Sequence, residues 1–430
     1  MMLSPRGVGT VLEALATVFG VGVDLAGIFA PKGDSNPNVV RIYVGAQTVG
    51  DAHDKVDIGV SPGGNAPGVT IWDGTGNLIG TIEGEGKIGD GSLKDYVFDT
   101  GSDQRGGQYV SVSASGTDGL CIAGITLTTP ENNNFAWFGD TARICGLPWY
   151  YSSRILGTIT PACAWIDTNA DKGHKYNGLS VHLPSFVNNL REPEQNVARK
   201  EQLGNNTALM CKSKARFSMW DEIVPQNDVF VFETPLKMEN GLDTPEDQES
   251  VLNPDAWSYS QPGDISIEPG PGRTIDVTPC FEDPDNCHAS GPSTEEDLKE
   301  QDPTRRKRMV NRRASSTARI MPDDLVISSF AGHSARELCD DSASEGPDLV
   351  SLAENLFCDM STIENRKQLY PLCSATVTAY CFDMETYTIR GSDAQTTAVA
   401  AVGRTGPVSN VAVAAGNFPS KNYTNIQTWE

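Results

Sequence analysis

Trp72-Asp73-Gly74-Thr75-Gly76-Asn77-Leu78 separates two β-rich runs, residues 68–73 and 78–83, and reads as a tight hairpin turn. Glycine supplies the positive φ that such a turn needs. Upstream, Arg41-Ile42-Tyr43-Val44 alternates polar and apolar, the period of a half-buried strand. The same glycine-punctuated pattern predicts strands at 39–46, 55–61, 68–73, 78–83, 95–100, 108–115 and 119–128. Seven short strands at this spacing predict an N-terminal antiparallel β-sandwich, and a chain that is mainly β.

The 430 residues allow two or three domains, at roughly 150 residues each. Hydrophobic residues make up 38%, below the roughly 45–50% of an ordinary globular chain, so part of the sequence is expected to stay unfolded. Net charge is −23, which excludes a general nucleic-acid binder, since that function needs a basic face to displace counterions. No apolar run approaches the roughly 20 residues of a membrane span.

Residues 1–37 have the outline of a leader: Arg6, then an apolar stretch from 8 to 30 interrupted by Glu13 and Asp24. The β-sandwich and a mixed α/β, aromatic extension packed on it occupy 38–240. In the extension, Pro184-Ser185-Phe186 is expected to open a helix limited by Pro193, and residues 228–234 alternate like a strand. Residues 243–303 hold sixteen acids, two basic residues and nine prolines. That composition cannot offset chain entropy by burial, so 241–320 is expected to be a disordered acidic linker. It ends in a basic cluster, Arg305-Arg306-Lys307-Arg308 through Arg313. Beyond it, a strand at 324–328 and helices at 334–340 and 348–357 predict a small disulfide-tied, α-rich subdomain over 321–391, followed by a low-charge tail, 392–430.

The ten cysteines are Cys121, Cys145, Cys163, Cys211, Cys280, Cys287, Cys339, Cys358, Cys373 and Cys381. None lies in a C-x-x-C pair, which disfavours structural zinc. Disulfides are the expected state, and they persist in oxidising compartments. Cys339, Cys358, Cys373 and Cys381 are expected to pair among themselves, with Cys280 and Cys287 closing a small loop. Asn205 and Asn422 stand in N-x-Thr sequons, as on a secreted glycoprotein.

Two blocks carry a resemblance. The first is Trp137-Phe138-Gly139-Asp140, Cys145-Gly146, Trp149-Tyr150-Tyr151-Ser152, Cys163-Ala164-Trp165-Ile166-Asp167 and Gly178-Leu179-Ser180-Val181-His182. The second is His333-Ser334-Ala335-Arg336-Glu337-Leu338-Cys339, Gly346-Pro347-Asp348-Leu349-Val350-Ser351, Phe357-Cys358-Asp359-Met360, Pro371-Leu372-Cys373, Cys381-Phe382-Asp383 and Arg390-Gly391. Covering about a third of the chain, they resemble a group of uncharacterised, cysteine-containing proteins secreted by fungi, chiefly ascomycetes. The resemblance implies secretion and no particular catalysis.

Several constellations invite chemistry. Gly332-His333-Ser334-Ala335-Arg336 lies between a strand and a helix, like a hydrolase nucleophile elbow. Arg336 replaces the second glycine, however, and no His follows Ser334, so a helix N-cap is the expected role. Asp167, Asn169 and Asp171 place oxygens at alternate positions, a weak calcium pattern without the twelfth-position Glu. No other cofactor is indicated. His174 and His182 fit no metal-ligand pair well. Trp149, Tyr150, Tyr151 and Trp165 form a candidate aromatic platform for a sugar, with core packing as the alternative. Lys307-Arg308 is a dibasic site for a processing protease in an exposed linker.

The expected function is non-catalytic binding or adhesion to carbohydrate or another cell-surface ligand, at a fungal wall or host surface. The alternatives are an extracellular carbohydrate-active hydrolase or lyase using carboxylates, and an intracellular protein imported to the nucleus through residues 305–313.

Overall fold

The computed structural model describes residues 14–20, 24, 27–31, 36–47, 62–99, 101, 104–168, 175–225, 227–260, 321–363, 366–391 and 421–430. These are mainly β and fall into two compact units. The first takes in the described residues through 260 together with Ala343–Glu345; the second takes in the rest.

The strands of the first unit are β1 (Asn38–Val44), β2 (Gly64–Asn65), β3 (Gly68–Trp72), β4 (Leu78–Ile82), β5 (Lys87–Ile88), β6 (Leu93–Phe98), β7 (Tyr109–Ser113), β8 (Leu120–Thr128), β9 (Asn134–Phe138), β10 (Trp149–Tyr150), β11 (Cys163–Ile166), β12 (Gly178–His182), β13 (Val187–Asn188), β14 (Phe217–Trp220), β15 (Phe230–Phe232) and β16 (Trp257–Tyr259). A seven-stranded sheet has the order β10-β11-β8-β1-β6, with β9 on β8 and β13 on β9. A five-stranded sheet has the order β14-β12-β7-β3-β4. Pairing is antiparallel throughout both. The sequence expectation of strands at 55–61 lies outside the described residues; the other six expected strands are present to within a few residues.

Alternation along β9 shows how the core is layered. Trp137 meets Phe217 of the five-stranded sheet, ring centroids 5.5 Å apart. Its neighbour Phe138 turns to the opposite face and packs with Ile28, Tyr43, Ala136, Leu156 and Val187. Both faces of the larger sheet are therefore covered, which is why every residue of β8 is buried. The hairpin turn between β3 and β4 is closed by Asp73, whose Oδ1 accepts from the backbone N–H of Thr75 and Asn77, both at 2.9 Å. Gly76 takes the left-handed φ of 82° there. Gly139 is required for a different reason: a Cβ would stand 2.3 Å from the Ala162 carbonyl oxygen and 2.8 Å from Cys163 Cα.

Two local expectations in this unit are corrected. Pro193 starts a helix, Pro193–Asn205, and the segment at 184–186 is a short 3-10 turn, Leu183–Ser185. Proline suits the first helical position because the N–H it lacks would have no partner there. The linker also does not begin at 241. Thr244 and Asp247 form a capping box around Pro245 and start a helix, Pro245–Leu252, and β16 pairs with β15. Residues 261–320, with Cys280, Cys287, Lys307 and Arg308, lie outside the described residues.

The second unit contains β17 (Met321–Ser328), β18 (Pro347–Ser351), β19 (Leu356–Ile363), β20 (Arg366–Pro371), β21 (Cys381–Asp383), β22 (Thr388–Arg390) and β23 (Asn425–Trp429). Its main sheet has the order β20-β19-β18-β17-β23, with β17 parallel to both neighbours. The α-rich expectation is therefore wrong. The helix expected at 348–357 is a β-hairpin, because Leu325, Ile327, Val350, Phe357 and Phe382 form one core across strands and Asn355 adopts φ 53° in the turn. Within the low-charge tail, the described residues 421–430 include β23, which completes the sheet.

The helix Ala335–Asp340 is present, with Ser334 as its N-cap: Ser334 Oγ accepts from Glu337 N–H at 3.0 Å and donates to Glu354 at 2.7 Å. Ser334→Ala is expected to lower stability by about 0.5–2 kcal/mol, measured by urea denaturation. An unchanged midpoint would remove the capping role.

Four disulfides tie the described cysteines: Cys121–Cys163, Cys145–Cys211, Cys339–Cys358 and Cys373–Cys381. The four C-terminal cysteines thus pair among themselves. Among the described residues no helix is long and apolar enough to cross a membrane.

Candidate functional site

The five-stranded sheet ends at β14, and the open side of that strand forms one wall of a cleft of about 210 Å³. The Cys145–Cys211 disulfide lies opposite, and Lys175, Tyr176, Lys214 and Asp221 complete the polar lining. Hydrogen bonds and ring contacts fix this wall. Trp220 Nε1 donates to Ser180 Oγ at 2.9 Å, and Phe230 stacks on Trp220 with centroids 5.5 Å apart. Tyr259 stacks on the same Phe230 ring at 4.9 Å. Asn177 ties the following turn, accepting from Ile223 N–H at 2.7 Å and donating to the Ile223 carbonyl at 2.9 Å.

The charge of the cleft runs against that of the chain. Among the described residues two lysines and one aspartate line it, in a protein of net charge −23. Lys175 is exposed and Lys214 half-buried. Burial lowers the Lys214 ammonium below its usual range, and Lys175 beside it adds to that effect against the pull of Asp221. An anion placed between the two would relieve both penalties.

Behind β14 lies a buried polar cluster that holds the cleft in place. Asp243 Oδ1 bridges Arg199 Nη1 at 2.7 Å and Arg216 Nη2 at 2.9 Å. Arg216 also donates to the Leu209 carbonyl at 2.6 Å and to Ser185 Oγ at 3.1 Å. The first of these anchors the turn that carries Cys211 and Lys214 to the cleft. His182 joins through Ser185, 2.8 Å from its Nδ1. Burial lowers its imidazole to about 3, with Arg216 and Arg199 reinforcing the shift. His182 is thus a neutral structural group, and His174 lies outside the described residues.

The residues singled out from sequence fall elsewhere. Trp149, Tyr150, Tyr151 and Trp165 are core, none more than 2% exposed, and cannot stack on a sugar. Their rings pack on each other, Trp149 on Tyr151 at 5.0 Å, and Trp165 Nε1 donates to the Glu345 carbonyl at 2.9 Å. Asp167 is buried and its N–H donates to the Tyr176 carbonyl at 2.8 Å; Asn169 and Asp171 lie outside the described residues. No three metal-ligating side chains converge among the described residues. Asn205 and Asn422 are both exposed, at the end of a helix and just before β23. Lys175, Lys214 and Trp220 were not anticipated. The alternation of Phe217-Ser218-Met219-Trp220 would have marked the strand, but nothing in the sequence joins Lys175 to Lys214.

No protein-family model matches the chain, and no curated protein matches it.

Proposed function

We propose that this is a secreted, non-catalytic binding protein, a β-sandwich with a disulfide-rich second unit, whose cleft takes the acidic terminal sugar of a wall or host-surface glycan. The observation that carries the reading is the pairing of Lys175 and Lys214 over an aromatic wall in an otherwise acidic protein. An ammonium pair selects a carboxylate, and the largely buried rings of Trp220 and Phe230 give the cleft an apolar side beside it. The size of the cleft, about 210 Å³, suits a single ring, since it is below the roughly 300–1,000 Å³ of drug-sized pockets. Four disulfides support an oxidising compartment over the nucleus. The carbohydrase alternative needs two facing carboxylates, and among the described residues Asp221 is the one carboxylate in the lining.

Calorimetry with glucuronate, galacturonate and glucose tests the proposal. The uronates are expected to bind and glucose to bind at least tenfold more weakly. Lys214→Met is expected to weaken uronate binding by about tenfold, some 1.4 kcal/mol, and added salt to weaken it further. Equal affinity for glucose and uronates, or no effect of Lys214→Met, would overturn it.

A further inference from the structure

We propose that the second unit carries an amide bond between Lys421 Nζ and the side-chain carbonyl carbon of Asp359, formed by the chain itself with Asp348 as the proton carrier. The three groups meet in the interior. Lys421 Nζ lies 2.6 Å from Asp359 Oδ1 and 2.8 Å from Asp348 Oδ2. The side chains are 3%, 0% and 2% exposed, respectively. Asp348 and Asp359 flank the paired residues Leu349 and Cys358 of β18 and β19, so two carboxylates face each other across neighbouring strands. Such a pair is destabilising by itself. One ammonium cannot neutralise both, and a buried ion pair recovers its desolvation cost only when its remaining atoms are satisfied. Here one is not: among the described residues Asp359 Oδ2 is buried without a hydrogen-bond partner.

Each group is held for the reaction. Asp359 Oδ1 accepts from Ser361 N–H at 2.9 Å, which fixes the carboxylate plane and would polarise the carbonyl under attack. Asp348 Oδ1 accepts from Met360 N–H at 2.7 Å, and its Oδ2 accepts from Tyr423 OH at 2.6 Å. Lys421 Nζ also donates to Ser361 Oγ at 2.6 Å. Burial raises the Asp348 carboxyl to about 6, against the pull of Lys421 and with a push from Asp359, which makes it a stronger base than an ordinary carboxylate. Burial would lower the Lys421 ammonium, but the two carboxylates outweigh it and hold it above its usual value.

The step balances without any further reactant. A proton passes from Nζ to Asp348 Oδ2, and the freed lone pair attacks Cγ of Asp359. The Cγ–Oδ2 bond breaks. The departing oxygen takes the proton held by Asp348 and a second from the nitrogen, and leaves as water. Oδ1 remains as the amide oxygen, still bonded to Ser361 N–H. The charges of Lys421 and Asp359 vanish together, an outcome favoured where burial penalises both. Fixed contact replaces a bimolecular encounter. The product joins two positions 62 residues apart in sequence.

Intact mass of the full chain, disulfides reduced and protein denatured, decides the matter. The expected mass is lower than the sequence mass by one water, and a protease digest is expected to yield a branched peptide containing Asp359 and Lys421. Lys421→Arg and Asp359→Ala should each restore the unbranched mass. Asp359→Asn should give the same branched product by loss of ammonia. Asp348→Asn should leave the bond unformed in protein whose disulfides are intact. Folded wild-type chain at its full sequence mass with no branched peptide would overturn the bond. Full cross-linking in Asp348→Asn would overturn the role of Asp348.

Discussion

Replacing Asp243 with alanine is expected to destabilise the first unit by about 3–5 kcal/mol, because it leaves two buried cations without their counterion. Asp243, Arg199 and Arg216 side chains are all 0% exposed. Burial alone would raise the Asp243 carboxyl; Arg216 and Arg199 outweigh it and hold the group below its usual value. A depressed carboxylate contributes stability above its unfolded pKa and loses that contribution as pH falls through the folded one. His182 acts in the same direction: its folded value near 3 lies below the ordinary 6.5, so the unfolded chain takes up the proton first. Stability should therefore fall steadily as pH drops from 6.5 toward 3. Urea titrations of wild type and Asp243→Ala at neutral pH, and of wild type in acid, read both effects. A loss under about 1 kcal/mol would mean that water or another group replaces the aspartate.

Removing the Cys145–Cys211 bridge by a double serine substitution is expected to cost about 2–5 kcal/mol. The bridge spans 66 residues in sequence and walls the cleft, so uronate binding should fall with stability. Removing Cys373–Cys381, which spans 8, should cost less, because a short loop restricts the unfolded chain less. Thermal unfolding of both double variants without reductant provides the comparison. Equal shifts would show that native packing around the sulfurs, not loop closure, sets the cost.

How much was legible in the sequence depended on how local the signal was. The turn at Trp72–Leu78 and the alternation at Arg41–Val44 lie within a few residues, and the strands there follow. Ser334 was legible as a cap for the same reason. The aromatic run at Trp149–Tyr151 looks the same whether it faces a sugar or a core, and only the surrounding strands decide. Residues 348–357 misled because a short apolar run between turns fits a helix or a buried strand equally well. The functional groups were the least legible. Arg199, Arg216 and Asp243 come from three separate segments, and Lys421 sits in what reads as a nearly uncharged tail.

The parallel pairing of β17 with β23 has a consequence for synthesis. Asn425 contacts Asp324 across 101 residues, so β17 leaves the ribosome well before the strand that will cover its outer edge. At roughly 5–20 residues per second the interval is on the order of 5–20 s. During it, the backbone of Leu325-Val326-Ile327 offers an unpaired apolar edge to any neighbouring nascent chain. Translation speed between the codons for β17 and β23, and the holding chaperones present while they are read, should therefore govern the yield of soluble protein.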